Sequence, residues 1–235
     1  MKPILFFVFA LLVINSNAQM VINDKNVQTR NVNSFSAIKV SGGIDVYLSQ
    51  SNEDAVAVSA SDESDRDYIK TEVRDGVLNI YYDSRSFKLM RNRQLRAYVS
   101  FKTLESIEGS GATDFIMSGT FSGNSVKIKL SGASDMKGIV DLTNAQVDLN
   151  GASTMKISGK VQNLKIDASG ASDLKNYDLV VDNCIAQLSG ASDIKITVNK
   201  SISAKASGAS NLDYKGNAER RDVSSSGASN ISHRD

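Results

Sequence analysis

The chain has 235 residues, a formal net charge of +1, one histidine, one cysteine, one proline, no tryptophan and sixteen glycines. A lone cysteine excludes an internal disulfide framework and a multi-cysteine metal site, and the balanced charge gives nucleic acid no electrostatic handle. One histidine and no tryptophan leave few parts for acid–base, zinc or stacking chemistry, so no cofactor or metal is expected, and the glycine and proline content fits neither collagen nor a disordered chain.

Residues 1–18, MKPILFFVFALLVINSNA, run from Lys2 through an apolar stretch, Ile4 to Ile14, to Ser16-Asn17-Ala18. That order reads as a secretory signal peptide cleaved after Ala18, because the export peptidase accepts small side chains at those two positions. The apolar run is shorter than the ~20 residues of a membrane-spanning helix, and no later segment approaches that length. The mature chain is therefore expected to begin at Gln19, to lack a transmembrane span, and, with no cysteine immediately after the cut, to carry no lipoprotein anchor. Residues 19–34 form a lead segment.

Residues 35–108 read as a β-rich N-terminal subdomain. It opens with FSAIKVSGGIDVYL, in which Ile38 and Val40 alternate with polar neighbours and a glycine pair follows. DAVAVSA and LRAYVSF read as strands, and YIKTEVRDGVLNIYYD as a hairpin turning on Asp75-Gly76. The stretch RSFKLMRNRQLR carries Arg85, Lys88, Arg91, Arg93 and Arg96 with no acid among them. Guanidinium forks match phosphate and carboxylate oxygens, so these residues, with Tyr81 and Tyr82, are the candidate ligand-binding surface for an anionic envelope polysaccharide or lipid headgroup. The competing reading is a solvated loop.

Residues 109–235 repeat. SGATDF at Ser110, SGASDM at Ser131, NGASTM at Asn150, SGASDL at Ser169, SGASDI at Ser189, SGASNL at Ser207 and SGASNI at Ser226 recur at spacings of 21, 19, 19, 20, 18 and 19. Before each copy, apolar residues alternate with polar ones, as in Val126, Ile128, Leu130 and Val147, Leu149; after it stands a second apolar column from Phe115 through Met136, Met155, Leu174, Ile194 and Leu212 to Ile231. Period two is strand, so the segment predicts an all-β fold, a β-helix (β-solenoid) of ~19-residue coils stacked at ~4.8 Å, each offering two short strands joined through the motif. Gly111, Gly132, Gly151, Gly170, Gly190, Gly208 and Gly227 are the structural corners, where positive φ or close backbone approach is needed, and the alanine that follows is read as the residue that lets corners stack. In the last coil Arg221 and Ser225 fall at inward positions, a sign of a worn end.

The Asp column, Asp114, Asp135, Asp173 and Asp193, is interrupted by Thr154, Asn211 and Asn230 and accompanied by Lys137, Lys156, Lys175 and Lys195. It reads as a solvated Asp/Lys face rather than a calcium ladder, since each coil supplies one such carboxylate. Cys184 shares an inward column with Val126, Leu164 and Ile202 and reads as a packed core thiol; His233 has no catalytic partner in view.

The signal peptide, the F-x-x-I-x-V-S-G-G-I-D-V segment with Gly43-Ile44-Asp45, the mid-region hairpin and the serial S-G-A-S-D copies together resemble the head-GIN putative autotransporter adhesin family of bacterial envelope proteins. The family's namesake tripeptide ends in Asn where this chain has Asp45. The resemblance implies a β-helical fold, a bacterium of the Bacteroidetes kind, and a periplasmic, outer-membrane or extracellular setting, with no catalytic residues. The function expected is a noncatalytic secreted or envelope protein, an adhesin or surface-ligand-binding module whose partner is an envelope polysaccharide or surface protein. The alternative is a structural solenoid stacking end to end into homo-oligomers; a polysaccharide-active enzyme would need acids or bases converging on one face, which the outward columns lack.

Overall fold

The computed structural model describes residues 24–83 and 94–235. In chain order its elements are β1 (Gln28–Arg30), β2 (Ala37–Ser41), β3 (Ile44–Gln50), β4 (Ala55–Ala60), the single helical turn α1 (Glu63–Arg66), β5 (Ile69–Arg74), β6 (Val77–Tyr82), β7 (Leu95–Phe101), β8 (Ser106–Ser110), β9 (Asp114–Leu130), β10 (Asp135–Leu149), β11 (Thr154–Ala168), β12 (Asp173–Leu188), β13 (Asp193–Ala206), β14 (Asn211–Lys215), β15 (Glu219–Ser225) and β16 (Asn230–His233). From β9 to β13 each element pairs in parallel with the next, and the stack continues into β14, β15 and β16, the arrangement of a β-solenoid.

The inward columns predicted from alternation are the core. Val126, Ile128 and Leu130, their equivalents in later coils as far as Ala206, and the column from Phe115 to Ile231 are all buried. The coil is not, however, two short strands: between the motifs each is one bent strand of 14 to 17 residues from β9 to β13. A third inward group, such as Val140 and Leu142 or Val181 and Val198, fills the side away from the motif. That group escaped the period-two reading because bends interrupt the alternation there.

The motif is the tight corner. All seven motif glycines have φ between 72° and 85°, and a Cβ built on Gly170 would lie 2.4 Å from the carbonyl oxygen of Gly151 in the coil before it. The following amide closes the same contact: Ala171 N donates to Gly151 O at 2.7 Å, flanked by Ser169 N to Leu149 O and Asp173 N to Ser153 O, both at 2.9 Å. The backbone ladder thus runs through the corner without a gap. The alanine is itself exposed, so the tight fit belongs to glycine on glycine rather than to alanine. The fourth motif residue seals the inside: Thr113, Ser134, Ser153, Ser172, Ser192 and Ser210 are each 0% exposed. Their hydroxyls donate to the carbonyl three residues back, at 2.7 Å from Ser172 to Ser169. A buried hydroxyl without a partner costs about 1–3 kcal/mol, which the short local bond avoids.

The N-terminal strands extend and then close the stack. β2 and β3 pair in parallel with β8 and β9, with Ser41 opposite Ser110 and Asp45 opposite Asp114. On their other side lie β6 and β7, also parallel. Antiparallel strands finish that end: β5 on β6, β4 on β7 and β1 on β4. The β5–β6 hairpin turns at Asp75 and Gly76, with φ of 51° and 74°, the pair of left-handed residues a two-residue turn requires. This is the β-rich cap over the solenoid.

At the other end β15 is exposed along nearly its whole length. A shift in register between Ile202 and Ala204 places Arg220 opposite Ile202 and Val223 opposite Ala204. Arg220 rather than Arg221 therefore falls in the inward column, while Ser225 stands opposite Ala206 as the spacing predicts. Replacing Gly170 with alanine should destabilise the protein by roughly 2–4 kcal/mol, because strain at positive φ adds to a backbone clash. Gly227→Ala should cost about half as much or less, since its Cβ would sit 2.9 Å from Gly208 O and its coil has no further neighbour. Thermal and urea unfolding of the two variants checks this, and equal losses would contradict it.

Candidate functional site

Stacked corners turn each motif position into a column, and the two flanks of the corner carry different chemistry. On the flank after the corner, one column runs Arg96, Asp45, Asp114, Asp135, Thr154, Asp173, Asp193, Asn211 and Asn230. Two carboxylates ~5 Å apart repel by roughly 0.8 kcal/mol in water and ~3 kcal/mol at an effective dielectric of 20. The chain answers this differently at each rung. Lys175 Nζ bridges Asp173 at 3.0 Å and Asp193 at 3.2 Å across two coils, and the hydrogen bond to Asp173 is foremost in raising its pKa. Asn211 donates its amide to Asp193 at 2.9 Å, the main reason that carboxyl sits below the usual range.

At the N-terminal end the same column is less well served. Partial burial raises the pKa of Asp114, and the charges of Asp45 and Asp135 on either side raise it further against the opposing pull of Lys137. Burial likewise raises Asp45, opposed by Arg96 and Lys137. Among the described residues no three His, Cys, Asp or Glu side chains are grouped so as to hold a metal ion.

On the flank before the corner lies a groove of about 650 Å³. One wall is the outward column Lys129, Asp148, Asp167, Gln187, Lys205 and Ser224, in register across six coils. The other is the first motif position, from Asn150 through Ser169, Ser189 and Ser207 to Ser226. The groove therefore runs along the solenoid axis. Its charges are matched locally: Asp148 pairs with Lys127 at 3.6 Å, Asp167 with Lys165 at 3.8 Å, Lys129 with Glu108 at 3.7 Å and Lys205 with Asp222 at 3.4 Å. Ser169 donates to the Asn150 side-chain oxygen at 2.6 Å. In the middle of the groove the side chains of Gln187 and Ser189 make no hydrogen bond within the described residues.

Of the candidate ligand-binding residues, Arg85, Lys88, Arg91 and Arg93 lie outside the described residues. The three others end β6 or begin β7, on either side of that stretch. Arg96 is held by Asp24 at 3.3 Å and by Gln94 at 2.6 Å. Tyr81 donates to Glu72 and Tyr82 to Asp65, each at 3.0 Å. These side chains anchor the cap. Cys184 is buried, and desolvation pushes its thiol up to about 12, which leaves it un-ionised and inert as a nucleophile.

Two features were missed in the sequence reading. One is the groove. The other is an amide ladder, in which Asn183 donates to Asn163 and Asn163 to Asn144, both at 3.0 Å, and Ser201 donates to Asn183 at 2.9 Å. Its signal is visible afterwards as Asn144, Asn163 and Asn183, recurring with the coil period one residue before an inward position.

A parallel β-solenoid with glycine corners, an antiparallel cap and side walls of repeated polar columns places the chain in the β-solenoid class. The chain belongs to the family described as "putative auto-transporter adhesin, head GIN domain", which matches residues 34–218. Among solved structures it is similar to a putative adhesin from Bacteroides fragilis, at 20% identity and a TM-score of 0.77, covering 90% of this chain and 98% of that one. It is similar also to a putative adhesin from Parabacteroides merdae, at 20% identity, TM-score 0.71, covering 89% and 95%. A third is a putative lipid binding protein from Parabacteroides distasonis, at 20% identity, TM-score 0.62, covering 89% and 95%. At that identity the likeness shows the fold. A comparison with curated proteins finds no match.

Asp114→Asn is expected to stabilise the protein near neutral pH by about 1 kcal/mol, the scale of one like-charge contact relieved in a partly solvated site. Asn already serves this column at position 211, donating to a neighbouring Asp. Because the folded-state pKa of Asp114 is raised, native protein binds its proton more tightly than unfolded chain does. The wild type thus loses stability as pH rises from the unfolded value through the folded one. The advantage of the variant should be greatest above that window and vanish below it, as unfolding curves across acid to neutral pH will show.

Proposed function

We propose that this protein is an exported, noncatalytic binding module of the bacterial envelope, an adhesin-class protein whose ligand lies along the groove beside the corner ladder. The observation that carries this reading is the groove itself, built from six rungs in strict register, rigid because each rung but the last, at Ser224, is held by a neighbour on both sides. Membership of the adhesin-named family supports a surface or envelope setting. The signal-peptide pattern ending at Ala18 supports export, and processed protein should begin at Gln19. Noncatalytic action is supported by the way the carboxylates are spent: those in the groove walls are paired with lysines, and those after the corner form a regular column.

End-to-end assembly is the second reading, and the C-terminal edge speaks against it. An arginine at an inward position and the charged run Glu219 to Asp222 on β15 are the devices by which sheets avoid edge pairing. Light scattering over a wide concentration range should find no growing assembly for the wild type. Replacing Arg220 and Arg221 with valine and threonine should promote association.

The binding reading is tested with labelled protein on cell envelopes of a Bacteroides-type bacterium. Gln187→Trp, which fills the groove from an exposed position, should weaken retention about tenfold, the cost of losing roughly 1.4 kcal/mol. Lys156→Ala on the opposite flank of the corner should leave retention unchanged. If neither variant nor wild type is retained above a scrambled control, the reading fails.

A further inference from the structure

We infer that the groove takes a linear, uncharged glycan in extended conformation, lying along the solenoid axis with one sugar residue per coil. This rests on the reading of the protein as a binding module and names the chemistry of its ligand.

Four observations point the same way. The first is spacing. The groove walls repeat at the coil rise of ~4.8 Å, close to the advance of one pyranose in an extended β-1,4-linked chain. Six rungs from Lys129 to Ser224 span five such steps, roughly 24 Å. A polymer with that repeat keeps step with the rungs, so each of its residues faces one wall side chain and one motif position.

The second is charge. Two lysines and two aspartates stand in the wall column, and each is neutralised by a partner at 3.4 to 3.8 Å. A polyanion or polycation would have to break those pairs, whereas a neutral chain leaves them in place. The third is the kind of group left over. Gln187 and Ser189 have unpartnered side chains at the centre, and Asn150 uses its carbonyl oxygen on Ser169 while its amide N–H groups form no bond within the described residues. Amides and hydroxyls both donate and accept, as sugar hydroxyls do.

The fourth observation excludes an extended peptide. Backbone N–H and C=O groups along the walls are consumed between coils, as in Ser189 N to Ala168 O at 2.9 Å and Ser207 N to Leu188 O at 3.0 Å. Among the described residues no free strand edge faces the groove, so a peptide could not add to the sheet, which is the usual source of its affinity. Side-chain hydrogen bonds to a chain of hydroxyls remain. Since no aromatic ring among the described residues lines the groove, each rung contributes little, and affinity must accumulate along the chain.

The experiment is isothermal titration calorimetry of the whole mature protein with cello- and chito-oligosaccharides from disaccharide to hexasaccharide. Oligogalacturonates of equal length and an extended serine-rich peptide serve as comparisons. Affinity should rise at least tenfold from disaccharide to hexasaccharide, as expected when linked weak contacts act together. Gln187→Trp, shown folded by its unfolding midpoint, should reduce hexasaccharide affinity at least tenfold, and Ser189→Ala should reduce it less. Affinity independent of length, tighter binding of the charged oligomer or the peptide, or indifference to Gln187→Trp would overturn the proposal. Retention on envelopes that survives Gln187→Trp would remove the groove and leave the binding module standing. Retention abolished by Gln187→Trp, with no neutral glycan bound, would keep the groove and overturn the ligand class.

Discussion

The structure depends on one contact, the carbonyl oxygen of a motif glycine lying where the Cβ of the next motif glycine would be. From Gly111 through Gly208 the virtual Cβ of each following motif glycine up to Gly208 falls 2.4 to 2.6 Å from that oxygen. Only glycine permits the approach, and only positive φ aims the next amide at the same oxygen. Coil lengths vary between copies, yet the corners remain in register. The surplus is absorbed elsewhere, at shifts between Lys137 and Ile139, Met155 and Gly159, and Lys175 and Val180. Columns adjacent to the corner are therefore the straightest in the molecule, and those are the columns that form the groove and the Asp/Lys face.

Stacking near-identical rungs has an electrostatic consequence. A charged residue at a column position meets its own kind above and below. An amide does not suffer from this, because it donates on one side and accepts on the other, and the asparagine ladder from Asn144 to Asn183 is the result. Aspartate tolerates the same placement only with help, from Lys175 between two rungs or from Asn211 as a neighbour. Thr154 interrupts the charge midway. Asp45 and Asp114, adjacent and partly buried, have the least help, and their raised pKa values record it.

Much of this was legible in the chain because a solenoid writes its geometry as a period. The recurrence of S-G-A-S marked the corners, and alternation before the motif identified the inward columns as far as Ala206. What the period could not express was the role of the fourth motif residue. A serine in a glycine-rich turn ordinarily signals solvent, whereas here the hydroxyl is turned in and satisfied locally. Nor could local pattern reveal that the coil of residues 37–50 lies between that of 77–101 and that of 106–130. That order reflects long-range pairing. On one side the Gly42 corner is overlain by Tyr82, whose Cβ would lie 3.2 Å from a Cβ on Gly42; on the other, its amide nitrogen would be 3.6 Å from one on Gly111. The bulk of Tyr82 at this place is where the corner ladder gives way to the cap, and Arg96 at the head of the aspartate column is its electrostatic counterpart. The groove was illegible for another reason, since it arises from the angle of the corner rather than from any residue within it.

The two ends of the solenoid favour the proposal that its recognition surface lies on the side. At one end antiparallel strands consume the free edge and tie down Tyr81, Tyr82 and Arg96. At the other, Arg220 stands at an inward position on a strand that is exposed almost throughout, so the final rung is held from one side alone. Rigidity is greatest between them, where each rung has a neighbour above and below. A shallow polar groove can hold a ligand only if its weak contacts act together, and that requires walls that do not move relative to one another. The middle rungs, around Gln187 and Ser189, meet both conditions: their backbone is fixed on two sides and their side chains are unspent.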